Sequence, residues 1–269
     1  MNQSRVRAIV MKDLMEIIAN RMVVVSIFVV PLVLCILLPA VVTFLALKLD
    51  LAAINGAELI ERILPAYAIP NEFTTSTVRI AYVFLNYTFV PLFMLVPIIM
   101  ASTIAANSFV GEKERRTLET LLYTPVSNQE LVVAKHLSAF LPAVVISTAG
   151  FAGYFATVNG ISFALTGLWL VRSPVWIPAI LLVSPAVSLL VLDITLMISM
   201  RAKTFMEAQQ MSAIIVIPFL LLVVIQLTGL VILNIFAIVV FGLIMAMVDL
   251  ALLRVVAPRF NREKILKTL

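Results

Sequence analysis

Charge, cysteine and histidine are all scarce in this chain, and each shortage excludes something. Only 12% of the 269 residues are charged, against 63% apolar, which is too little polar surface to cover a soluble fold of this size. Water-soluble enzymes and disordered chains are thereby excluded. The one cysteine, Cys35, cannot form an intrachain disulfide, so a disulfide-stapled domain is excluded as well. With His136 the one histidine and Cys35 far from it in sequence, no multi-histidine or Cys/His metal site can be assembled. The chain also lacks a G-x-x-x-x-G-K-[ST] run or any other glycine-rich loop that could cradle phosphates. An intramembrane hydrolase would need a nucleophile with a base, a metal-binding helix or paired aspartates. No H-E-x-x-H or G-x-S-x-G run is present, and the sequence places His136 beside Lys135 at a span boundary, where interfacial packing is the default reading.

What remains is a chain whose solvent is lipid, with a mean hydropathy of +1.15. A helix needs about 20 apolar residues to cross about 30 Å of hydrocarbon. Uncharged runs occupy Met22 to Leu47, Ile80 to Gly111, His136 to Val171 and Ala208 to Val248. A further span from Pro174 to Met200 carries Asp193 as its one ionisable group. The run from Ala208 is 41 residues long and would reach about 60 Å as one helix, so it must turn back, best between Thr228 and Asn234. The reading is an all-α polytopic membrane protein, one transmembrane domain over 1–269 with spans at about 22–47, 80–110, 136–158, 174–200, 208–228 and 234–256. The first span is too long, and too acidic in its approach, for a cleavable signal.

Orientation follows from the basic residues, which collect on the cytoplasmic side. With both termini inside, fifteen of the nineteen Lys and Arg residues fall on the inner side, and only Lys48, Arg62, Arg79 and Arg172 fall outside. A five-span alternative strands the basic C-terminal tail on the wrong face. The net charge of +5 lies in short islands between spans, so it anchors topology and offers no nucleic-acid surface.

Three segments lie outside the bilayer. Residues 4–20 read as an amphipathic interfacial helix, with Val6, Val10, Leu14, Ile17 and Ile18 on one side and Arg5, Lys12, Glu16 and Asn20 opposite. Residues 48–79 form an outer loop divided by Pro65 and Pro70, in which Ala52 to Leu64 has helical pattern. Residues 111–135 are the most informative. Glu112 to Tyr123 favours a helix with Leu118, Leu121 and Leu122 as its apolar strip, broken at Thr124-Pro125. Ser127 to Glu130 matches the capping box that starts a new helix into the third span. A short, bent, charged helix joined directly to two spans has the geometry of a docking element, its bland alternative being a solvated loop.

The run from Gly111 to Ser127, GEKERRTLETLLYTPVS, resembles the G-E-[RK]-E-x-[GR]-T-L-E-x-L-L-x-[TS]-P-[VL]-[ST] run that ABC-2 permeases of ABC transporters carry after their second span. The resemblance is to the small six-span sodium- and drug-exporter-like group, and it extends to the topology of the whole chain. Arg116 stands where many members have glycine, and Ala134-Lys135 replaces a common Gly-Lys. The resemblance implies that 4–20 is an elbow helix and that Glu112 to Pro125 is a coupling helix docking a separate ATPase. Its implied contact residues are Glu112, Glu114, Arg115, Arg116, Thr117, Leu118, Glu119, Leu122, Thr124 and Pro125. It further implies two ATP-binding subunits, which bind ATP and Mg, and a second permease subunit, the same or different, with cargo moved outward across the cell membrane between the two permeases. This chain itself then needs no catalytic residue, cofactor or metal.

A rival reading, an ion-coupled transporter or channel, would use Asp193 and Asp249, the intramembrane acids. Arg201 and Arg254 stand eight and five residues beyond them and are close enough in sequence to snorkel back as ion-pair partners. A scaffold without transport is not excluded by the sequence. Asn86, Ser102, Asn107, Thr195 and Gln226 are candidates either to line a pathway or to bond neighbouring helices. Gly150 and Gly153 are candidates for close helix packing. Eight prolines within spans permit kinks.

Overall fold

The computed structural model describes residues 2–49, 69–114, 127–199, 201–202, 204–228, 231 and 233–259. Backbone groups in hydrocarbon must bond within their own segment, and the described residues form helices and no strand. Helix α1 is Gln3–Ala19. Among the described residues six helices are long and apolar enough to cross a membrane: α2 (Arg21–Lys48), α3 (Ser76–Glu114), α4 (Asn128–Thr166), α5 (Trp176–Ser199), α6 (Phe205–Leu227) and α7 (Ile235–Arg259). The outer helix expected over Ala52 to Leu64 lies outside the described residues.

Local signals set most boundaries. Asn20 is the one extended residue between α1 and α2, and its side chain accepts from the Met22 amide to cap the first span. The capping box at Ser127 and Glu130 is present and starts α4. That helix runs 39 residues, beyond the expected 136–158, because nothing interrupts it before Gly167. There the backbone turns left-handed at φ 70° and closes the helix. Helix α6 ends at Leu227 and α7 begins at Ile235, where the turn was expected. Wide π turns at Leu32–Leu37 and Ala179–Val183 contain Cys35 and Leu181, the residues four before Pro39 and Pro185. A third, Phe84–Thr88, contains Tyr87, the residue four before Pro91. Each absorbs the steric conflict between a proline ring and the carbonyl one turn earlier without ending the span.

Helix α3 is the axis of the bundle: 89% of its apolar window is buried, against 17% for α2 and for α7. It packs against α4 and α5 on its main faces and meets α2 and α6 beside them, while α7 leans on α5. Two small residues permit close approach. A methyl group on Gly150 of α4 would lie 3.0 Å from Cys35 Sγ of α2, and one on Gly153 would lie 3.4 Å from Ile36. The path of the chain puts α1, the α3–α4 and α5–α6 connections and the end of α7 on one face, the terminal face; the other connections lie on the far face.

On the far face, two side-chain amides hold the α4–α5 connection. Asn86 Nδ2 donates to the Leu170 carbonyl at 2.8 Å and its Oδ1 accepts from the Ser173 amide at 3.2 Å. Asn159 does the same to Val171, donating to its carbonyl at 3.1 Å and accepting from its amide at 2.8 Å. Of the candidate pathway residues, Asn86 is thus a clamp between elements. Thr195 shares a hydrogen bond with Ser212 at 3.1 Å, Asn107 accepts from Asn20 at 2.6 Å, and Ser102 donates to the Ile99 carbonyl of its own helix.

Candidate functional site

The largest concentration of charge in the protein interior sits at the terminal face, where α1 crosses the end of α3 and the start of α4. Lys135 of α4 is fully buried. Its ammonium group donates to Asp13 Oδ1 at 3.1 Å and to the Ser108 carbonyl at 2.8 Å, and it is ion-paired with Glu112 Oε2 at 2.8 Å. The ammonium also lies 5.5 Å from the centre of the Phe109 ring. Asp13 is completed by the hydroxyls of Ser108 at 2.8 Å and Ser138 at 2.9 Å, both donating to Oδ2. Lys12 adds a second cation, paired with Glu112 and, at 3.1 Å, with Glu16. Burial lowers the affinity of the Lys12 ammonium for its proton, but Glu112, Glu16 and Asp13 outweigh that and hold its pKa above the ordinary lysine value.

This cluster explains why α1 is rotated from its expected setting. Its buried residues are Val6, Ile9, Asp13 and Ile17, whereas Ile18, assigned to the apolar side by the wheel, is 76% exposed. A carboxylate sits in the buried stripe because Lys135 waits there. The carboxylates of Asp13, Glu16 and Glu112 lie close enough together to hold a cation, and Lys12 and Lys135 already supply the countercharge at that place.

Both ends of the segment between α3 and α4 are tied down. At its start, Glu112 belongs to the Lys135 cluster, and Glu114 Oε2 accepts from the Phe205 amide at 3.2 Å, which joins α3 to the first residue of α6. At its end, Glu130 closes the capping box and also accepts from the Asn2 amide at 2.6 Å. Of the expected contact residues, Glu112 and Glu114 are placed by the structure. Arg115, Arg116, Thr117, Leu118, Glu119, Leu122, Thr124 and Pro125 lie outside the described residues.

The intramembrane acids differ from expectation. Asp193 and Asp249 are both buried, at 0% and 2% exposure, while Arg201 and Arg254 are exposed. Among the described residues neither arginine pairs with either acid. An arginine at a span end keeps its guanidinium hydrated by pointing outward, and turning inward would forfeit that. Asp193 instead meets His136 Nε2 at 2.8 Å, so the histidine expected to pack at the interface is a polar partner. Asp193 and Asp249 face each other across α5 and α7 but share no hydrogen bond, unlike a catalytic aspartate dyad. Gln226 is buried with neither polar atom bonded to a described residue.

A bundle of six helices long and apolar enough to cross a membrane, with a charged intersection of helices on one face, marks a multi-pass membrane protein. A family model described as ABC-2 family transporter protein matches residues 7–257, and the chain belongs to that family. It is therefore a transporter permease, a membrane component that is not itself catalytic, of a family that generally works with an ABC ATP-binding subunit. No curated protein and no solved structure matches the chain significantly.

Proposed function

We propose that the chain is the permease half of an ATP-driven exporter in which two such subunits, alike or different, enclose the pathway and two separate ATPase subunits dock at residues 112–125. ATP and Mg belong to those ATPases. The observation that carries this reading is that both ends of the 115–126 segment are anchored, to α1 and α6 as well as to α3 and α4. A force applied to that segment is delivered to four helices at once. A segment with free ends would absorb the force in its own backbone. The family match and the Gly111 to Ser127 run support the same assignment.

Glu114→Arg and Arg115→Glu are each expected to reduce co-purification of a Walker-A ATPase with the permease at least tenfold, the loss of about 1.4 kcal/mol of docking energy. Alanine at the same positions is expected to do less. Undiminished co-purification with both reversals would remove the docking assignment.

In this reading the terminal face is cytoplasmic and the membrane is the plasma or inner membrane. Cys35 is fully buried and contributes little background to thiol labelling. A cysteine in place of Gln129 is expected to react with an impermeant maleimide only after the membrane is opened, and one in place of Asn71 in intact cells. The reverse pattern would invert the topology.

A further inference from the structure

His136 Nδ1 lies 2.8 Å from the Val132 carbonyl, which can only accept, so Nδ1 carries a proton. His136 Nε2 lies 2.8 Å from Asp193 Oδ1, so a second proton lies between those two atoms. Whether that proton sits on the ring or on the carboxyl, the pair as a whole is neutral, and the charge of Asp193 is compensated inside it. Asp249 has no such arrangement. Its side chain is buried, and neither oxygen has a hydrogen-bond donor among the described residues; Asp193 Oδ2 lacks one as well.

Among the described residues, the groups around Asp249 offer it no cation. On α5 the facing acid is Asp193. On α4, Lys135 is turned to Asp13 and Glu112, and His136 is bonded to Asp193. Arg254 on α7, Arg201 after α5 and Glu207 on α6 are exposed, and the start of α5 that packs on α7, 176–183, has no titratable residue. An ionised carboxylate buried beside a second acid, with no donor and no cation, is the costly state in a low dielectric. His136, Asp193 and Asp249 also fall outside the sets of side chains placed closely enough to share a metal ion. The ligand that fits is the smallest cation.

We propose that Asp249, with the His136–Asp193 pair beside it, is a proton-binding site in the membrane-spanning region of the permease, loaded from the terminal face through His136. His136 is the entry because its side chain retains 11% exposure, against 1% for that of Asp193. The proton bound on Asp249 forms an O–H bond to one carboxyl oxygen and leaves again by the same route, with no other bond changed. This site stands apart from the ATPase assignment and does not depend on it.

The test uses the full chain reconstituted in lipid nanodiscs, with infrared difference spectra recorded as pH is raised. The wild-type protein is expected to show a protonated-carboxyl C=O band at neutral pH that disappears at alkaline pH, and Asp249→Asn is expected to lose that band. Asp249→Glu keeps a carboxyl at the position, so the band is expected to persist at a shifted frequency. This second variant serves if Asp249→Asn does not fold. His136→Gln is expected to keep the band but slow its disappearance after an alkaline jump. The proposal is overturned if the wild-type band is absent at neutral pH, if it survives in Asp249→Asn, or if Asp249→Glu leaves its frequency unmoved. Loss of the band on adding sodium or potassium chloride at fixed pH would also overturn it, in favour of a metal-ion site.

Discussion

Lys135→Met is expected to destabilise the permease by about 3–5 kcal/mol, the cost of removing one partner from a buried ion pair. The ammonium group satisfies Asp13 and Glu112 together, both about 1% exposed, and a thioether leaves two carboxylates facing one another without it. Lys12 compensates only in part, since from the more exposed side it pairs with Glu112 and Glu16 and reaches Asp13 only at 3.7 Å. The measurement is the fraction of folded, monodisperse permease surviving a heating series in mild detergent. The triple variant Asp13→Asn, Glu112→Gln, Lys135→Met is expected to recover much of the loss, because neutralising a whole buried network is far cheaper than orphaning part of it. Full stability of Lys135→Met alone would mean that the cluster is hydrated rather than buried.

Asn86→Leu is expected to cost about 2–6 kcal/mol, the sum for orphaning the Leu170 carbonyl and the Ser173 amide at roughly 1–3 kcal/mol each. Leucine fills a similar volume, so the change isolates the hydrogen bonds from the packing. The effect is local before it is global. Limited proteolysis is expected to cut the 167–175 connection faster in the variant while the terminal face stays protected. Asn159 holds Val171 independently, so Asn86→Leu combined with Asn159→Leu is expected to release the connection fully. Unchanged cleavage in the double variant would show that the connection is held by other contacts.

The spans, the Ser127 capping box and the turn before Ile235 were legible in the sequence because each is encoded by adjacent residues: a run without charge, an S-x-x-E spacing, a Thr-Gly break. The terminal-face cluster was not. Asp13 and Lys135 are 122 positions apart, and no local pattern links them. The helical wheel sorted α1 by hydrophobicity and placed Val6, Val10, Leu14, Ile17 and Ile18 on its buried side; Val6 and Ile17 are buried, but Ile18 is exposed and Asp13 takes a buried place because it answers a lysine on another helix. The pairing of Asp193 failed for a related reason. Sequence distance favoured Arg201, but His136 reaches it from a neighbouring helix without giving up hydration. The run from Gly111 to Ser127 was legible as a motif, and its first acid, Glu112, belongs to the interior cluster.

Helix α4 has a mechanical consequence. Its 39 residues span about 58 Å, roughly twice the hydrocarbon thickness. One end is pinned by Lys135 to the end of α3, and the other is pinned through Asn159 to the far-face connection. A single lever therefore reaches from one aqueous phase to the other. Tilting it by about 5° carries its tip through about 5 Å, close to one helical turn, so a small displacement at one end becomes a shift of a side chain's width at the other.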